Sequence, residues 1–261
     1  MAINGRDYDS QVSNSTISKN GFDVANKNGV YGLNLGKVFG IMFLWLLATA
    51  LIAFGGGYLF ANWMGSLESP NPDAVATLYT TMIISGISLL VLTFVIQFVA
   101  LRKGKGMLIL SSLYVLCMGL LCCSFTLFID WRILGIAFGI TTVIFGILSL
   151  IGFLAKNVRP IAFVGIMLVV GASITALITW IVTLFLPSTF NIGLLWILDF
   201  AIFGGMLLLI IVDLNQINRI CKNGEMSTNL TLYCALTLYS DFVYIFIKIV
   251  YYLLILYARN K

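Results

Sequence analysis

The sequence predicts an all-α polytopic membrane protein, a bundle of seven transmembrane helices with its N-terminus cytoplasmic and its C-terminus external. Two observations carry that prediction. Of 261 residues, 61% are hydrophobic and only 10% are charged, whereas roughly a quarter of the residues in soluble domains are charged. Apolar segments of about 20 residues, long enough to span a hydrocarbon core at about 1.5 Å rise per residue, recur along the chain. A backbone in lipid must satisfy its own hydrogen bonds, so each segment is expected to be a helix.

The elements follow in order. Residues 1–36 are polar and rich in Asn, Ser and Gly, too poor in apolar side chains to form a core, and predict a flexible cytoplasmic tail ahead of a membrane domain over 37–261. The first span, 38–60, starts too late and runs too long for a cleaved signal peptide, so it is read as retained. An outer loop over 61–76 leads to the second span, 77–101, and then to the third, 107–128. The fourth, 133–154, carries Gly135, Gly139 and Gly146 at spacings that suit close helix packing. The fifth is placed at 161–186, the sixth at 192–212, ending just before Asp213, and the seventh at 230–257 after a second long inner loop. No internal repeat is visible, so an inverted-repeat transporter has no support.

The net charge of +5 must be read loop by loop. Arg6, Lys19, Lys27 and Lys37 precede the first span; Arg102, Lys103 and Lys105 follow the second; Lys156 and Arg159 follow the fourth; Arg219 and Lys222 follow the sixth. The opposite side has only Arg132, Arg259 and Lys261. The basic residues therefore set orientation by the positive-inside rule rather than grip a nucleic acid. On that topology the sequons at Asn14 and Asn229 face the cytoplasm and are chance matches.

The same inventory excludes chemistries. The chain has no histidine, which removes Ser-His and Cys-His pairs and the usual zinc spheres. Cys117, Cys122, Cys123 and Cys234 lie in spans and Cys221 in an inner loop, so neither a disulfide framework nor a metal spacing emerges. No Gly-x-Gly-Asp signature surrounds Asp213 or Asp241, and the third span has no acid to serve a retinal Schiff base. The expectation is a protein that is not an enzyme, needs no cofactor and sits in a membrane; lack of a retrieval signal or cleavable leader favours a bacterial plasma membrane.

Four ionisable residues stand out: Asp199 and Asp213 at the two ends of the sixth span, and Asp241 and Lys248 inside the seventh. A charge at the bilayer centre costs about 2.5–3.5 kcal/mol on insertion scales, so such residues face the bundle interior or a water-filled path. Seven residues at 100° bring Lys248 within about 20° of Asp241, about 10.5 Å along one helix face. Asp199 and Asp213 share a face of the sixth helix about 21 Å apart. In antiparallel helices, levelling Asp213 with Asp241 leaves Lys248 and Asp199 about 10 Å out of register. A lysine stem of roughly 6 Å can lean outward toward Asp199 and close part of that gap. Asp213 and Asp199 also fit the plainer reading of boundary acids, and Lys248 that of an interfacial anchor.

Asp213 and Asp241 together suit a cation site. Calcium is a hard ion that takes several oxygen ligands, and two carboxylates supply both oxygens and charge. Two carboxylates a few Å apart cannot both ionise cheaply, so protonation and cation entry compete there. Calcium enters this reading as a permeant or bound ion, and the expected partners are lipid, calcium or protons, and membrane proteins.

The run LGKVFGIMFLWLLATALIAF (35–54), the segment IIVDLNQI (210–217) and the run ALTLYSDFVYIFIKIVYYLL (235–254) resemble the Bax inhibitor family of seven-helix membrane proteins, most specifically through DLNQI and LYSDF at their separation. The resemblance implies a calcium-leak channel of the bacterial type whose proton-sensitive acids fall on Asp213 and Asp241, with Arg102 as the nearest match to an arginine latch. Arg102 is equally well read as one member of its basic cluster. Lys248 and Asp199 depart from the family pattern, and a cation beside the path is expected to raise the barrier to calcium. The alternative is a non-conducting membrane regulator that binds partners such as a membrane protease, with the N-terminal tail as recognition segment.

Overall fold

The structure, a computed structural model, describes the backbone of residues 6–65, 71–99, 106–185, 192–222 and 226–259, and side chains within these over 30–65, 71–99, 106–182, 193–222 and 226–257. The described residues form seven helices and no strand: α1 (Arg6–Met64), α2 (Pro72–Val99), α3 (Gly106–Phe128), α4 (Trp131–Leu154), α5 (Arg159–Phe185), α6 (Ile192–Lys222) and α7 (Thr228–Arg259). Each holds a stretch long and apolar enough to cross a membrane, that of α1 being Val30–Met64. The protein is an integral membrane protein, and the broad exposed faces of Leu, Ile, Phe and Val on these helices are the surface that lipid covers.

Helix α7 is the centre of the bundle. It packs against α1, α3, α4 and α6, whereas α5, among the described residues, makes substantial contact with α6 alone. Along α7, Leu238, Tyr239 and Ile245 are fully buried, and the two-turn spacing of Leu238 and Ile245 keeps them on one inward side. The tyrosine is the largest of these side chains: the rings of Trp45 from α1 and Tyr114 from α3 stand edge-on to it, each at 6.3 Å, and its hydroxyl meets Thr49 Oγ1 of α1 at 2.5 Å.

Glycines set two helix crossings, and they are not the ones the sequence spacing marked. Gly135, Gly139 and Gly146 face open space: a Cβ on any of them would meet nothing within 4 Å. A Cβ at Gly165 or Gly205 would instead lie 3.2 or 3.1 Å from the other's carbonyl oxygen, and at Gly152 it would lie 3.0 Å from Ile211 O. Backbone thus meets backbone where α5 crosses α6 and where α4 crosses α6, which is the circumstance that requires glycine. Periodicity along one helix shows where small residues cluster, not whether a neighbour stands opposite.

Helix α6 also differs from expectation. It does not end before Asp213 but continues to Lys222, so Asp213 lies inside a helix, the connection to α7 is short, and Cys221 is fully buried in the last turn. The extension is polar and is held by partners rather than by hydropathy. Asn215 Nδ2 donates to Gly152 O at 2.8 Å and Ala155 O at 2.6 Å, Asn218 Nδ2 to Phe153 O at 3.3 Å, and Arg219 Nη2 to Lys156 O at 2.9 Å. These donors satisfy carbonyls at the C-terminal end of α4, which have no partner within their own helix. Tyr31, within the segment read as tail, donates its hydroxyl to Asn218 Oδ1 at 2.8 Å, and Asn34 is buried there with Nδ2 3.4 Å from Cys221 O. The packed bundle therefore reaches back at least to Tyr31.

Candidate functional site

The four intramembrane charges occupy two levels along α6 and α7. At the level nearer the end of α7, Lys248 Nζ lies 2.5 Å from Asp199 Oδ1. Tyr252, one turn beyond Lys248, donates its hydroxyl to Asp199 Oδ2 at 2.9 Å. Asp199 thereby has both oxygens engaged, and the lysine charge has a counter-ion and a second neighbour in the Tyr251 ring, 5.7 Å away. Aromatic rings surround the group: Phe200 stacks on Tyr252 at 4.9 Å with an interplanar angle of 4°, and Trp196 stacks on Tyr251 at 6.2 Å. Lys248 and Asp199 are placed against each other, so the pair carries no net charge at this level.

Below it, seven residues back along α7 and fourteen further along α6, lie Asp241 and Asp213. They are within electrostatic reach of one another. The register conflict inferred from straight antiparallel helices is eased by the lysine, whose stem takes up roughly 6 Å of the offset. The two carboxyls do not have equal surroundings. Asp241 Oδ2 is sealed from solvent and has no hydrogen-bond partner, in an interior where such an atom ordinarily finds one. Tyr114 of α3 also lies within electrostatic reach of Asp241. Among the described residues no group of three or more Cys, Asp or Glu side chains is arranged to hold a metal ion. Arg102, the candidate latch, lies outside the described residues.

A comparison with family models matches residues 33–258 to the model described as Inhibitor of apoptosis-promoting Bax1. That span takes in all seven membrane helices. The chain belongs to the Bax inhibitor family. No curated protein and no solved structure matches it significantly.

Within this Bax inhibitor chain, several polar residues that line or brace the site were not apparent from the sequence. Tyr252 had a usable signal, since spacing of four from Lys248 puts both on one helix face. Tyr114 and Tyr239 had none: an aromatic in an apolar span reads as core, and the ring contact between them and the Thr49 partner of the Tyr239 hydroxyl join residues far apart in sequence. Asn215 and Asn218 both lie beyond the expected end of the sixth span, and only the α4 carbonyls explain them.

Proposed function

We propose that this Bax inhibitor family member provides a passive, pH-sensitive cation path, with calcium as the permeant ion, in which Asp213 and Asp241 form the step where proton and cation compete. The observation that carries the reading is Asp241 Oδ2, a sealed carboxylate oxygen without a donor, close enough to Asp213 for each charge to act on the other. A buried oxygen in that state requires a proton or a cation. Calcium prefers six to eight oxygens; two carboxylates with water supplying the remainder favour passage over tight retention. Lys248 does not oppose this reading, because Asp199, itself held by Tyr252, pairs with it a level away. The reading is of a path rather than an enzyme, and it requires no cofactor.

The test is calcium flux into proteoliposomes across pH. Asp241→Asn keeps the side-chain volume and removes the titration, so pH dependence is expected to disappear. Flux in that variant that follows pH as the parent does would sink the proposal.

A further inference from the structure

A concavity lies beside the bundle's charged residues without including any of them. It is a groove of about 450 Å³ at the half of the bundle holding the α3–α4 turn, bordered by α1, α3 and α4 with α7 as its floor. Helices α1 and α4 do not pack on one another, so the groove is a gap between them that opens sideways. Its mouth is edged by Phe54, Trp131 and Phe138, all exposed, in a surface that lipid covers. Its floor is Phe242, Val243 and Phe246.

The lining leaves little for water to bind. The two hydroxyls in it are already used: Thr49 bonds Trp45 O and Tyr239, and Thr126 bonds Ala53 O at 3.0 Å and Cys123 O at 2.8 Å. A cavity without polar groups to hold water stays dry and takes apolar matter, and this volume is within the range of small-ligand sites. Because the groove is continuous with the lipid-facing surface, a hydrocarbon chain can enter without crossing water.

A cation stands at the mouth. The Arg132 guanidinium lies 5.8 Å over the ring of Trp131, and Arg132 has no ion pair among the described residues. The neighbouring acid, Asp130, is committed to capping α4, its Oδ1 accepting from the backbone N of Arg132 at 3.0 Å. Arg132 sits at the start of a membrane helix, the depth of lipid headgroups, where an arginine attracts phosphate.

We infer that this groove holds one acyl chain of a bilayer phospholipid whose phosphate is bound by Arg132. The chain packs against Phe242 and Val243, the two residues that follow Asp241, so an occupied groove supports the groove-facing side of α7 next to the charged site.

Native mass spectrometry of the full chain released from nanodiscs of anionic phospholipid tests this, together with crosslinking by a phospholipid carrying a photoreactive acyl chain. Wild type is expected to retain one phospholipid and to be labelled on α4 near Gly135 and on α7 near Phe246. Gly135→Leu fills the groove where a Cβ meets nothing within 4 Å; it is expected to cut retention by about tenfold, since several methylene contacts are displaced. Arg132→Gln, an exposed position, should weaken retention about fivefold. A diacylglycerol with the same chains should be lost on release. Labelling spread evenly over the lipid-facing helices, or retention unaffected by Gly135→Leu, overturns the groove; diacylglycerol retained as well as phospholipid overturns the role of Arg132.

Discussion

Lys248 Nζ and Asp199 Oδ1 meet at 2.5 Å between α7 and α6, and this ion pair is the main polar tie between two consecutive helices that otherwise touch lightly. The side chains keep 21% and 28% of their surface exposed, so the pair is intermediate between a surface bridge and a sealed one. Removing one partner leaves a charge at membrane depth. Lys248→Met is therefore expected to lower stability by about 1–3 kcal/mol, between the costs of exposed and buried pairs. The double variant Lys248→Met/Asp199→Asn should recover most of that loss, because no charge is left unpaired. Thermal unfolding in detergent of the two single variants and the double variant measures the cycle; a double variant as unstable as the sum of the singles contradicts the pairing.

The contact between Tyr239 and Thr49 gives a second asymmetric pair. Tyr239 is fully buried and its hydroxyl has Thr49 as partner, while Thr49 also donates to Trp45 O at 2.9 Å. Tyr239→Phe removes one bond and leaves Thr49 satisfied, a cost of about 1 kcal/mol. Thr49→Val strands the tyrosine hydroxyl in the core and should cost more, about 1–3 kcal/mol. Adding Tyr239→Phe to Thr49→Val should then restore stability rather than lower it further. Chemical denaturation in mixed micelles distinguishes that order from simple additivity.

The Asn215 amide gives a third prediction, toward the C-terminal end of α6. Its nitrogen ties two carbonyls at the end of α4 while its Oδ1 is buried without a partner. Asn215→Leu keeps approximate volume but leaves both carbonyls without that donor, and is expected to destabilise the protein by about 1–3 kcal/mol. Hydrogen exchange should show the loss first as faster opening of the last turns of α6, up to Lys222, with the centre of α7 unchanged. Uniformly faster exchange across the bundle contradicts a local role for this amide.

The seven helices were legible because hydrocarbon thickness imposes one strong length on the sequence. The observed spans overlap the expected ones throughout. What escaped was what depends on a partner. The polar end of α6 resembles a loop in hydropathy, and it is a helix because α4 offers carbonyls to Asn215, Asn218 and Arg219. Tyr31 and Asn34 read as tail for the same reason, and α6 is what holds them. Among the charges, spacing along each helix placed Asp241 with Lys248 and Asp199 with Asp213, but only the relative sliding of α6 and α7 determines which pairs meet. The sequence contains the lysine's reach, not the choice it makes between Asp199 and the acids below.

Glycine positions give the sharpest contrast between spacing and contact. Gly205 sits with Gly165 O 3.1 Å and Leu168 Cβ 3.0 Å from where its Cβ would be, and Gly139 faces open space. A leucine at Gly205 cannot be accommodated by a side-chain rotation alone, because the obstacle includes backbone. Gly205→Leu is expected to cost about 1–3 kcal/mol from overpacking and to loosen α5, which has no other substantial neighbour than α6. Gly139→Leu places its Cβ in open space and replaces a residue poorly suited to a helix interior, so stability should stay level or rise by up to about 1 kcal/mol. Unfolding midpoints of both variants in one detergent, with proteolysis at the 155–158 connection as a reporter on α5, measure the difference. If Gly139→Leu proves the more damaging, then α4 has a partner on that face, and a second copy of the chain is the first one to seek by crosslinking.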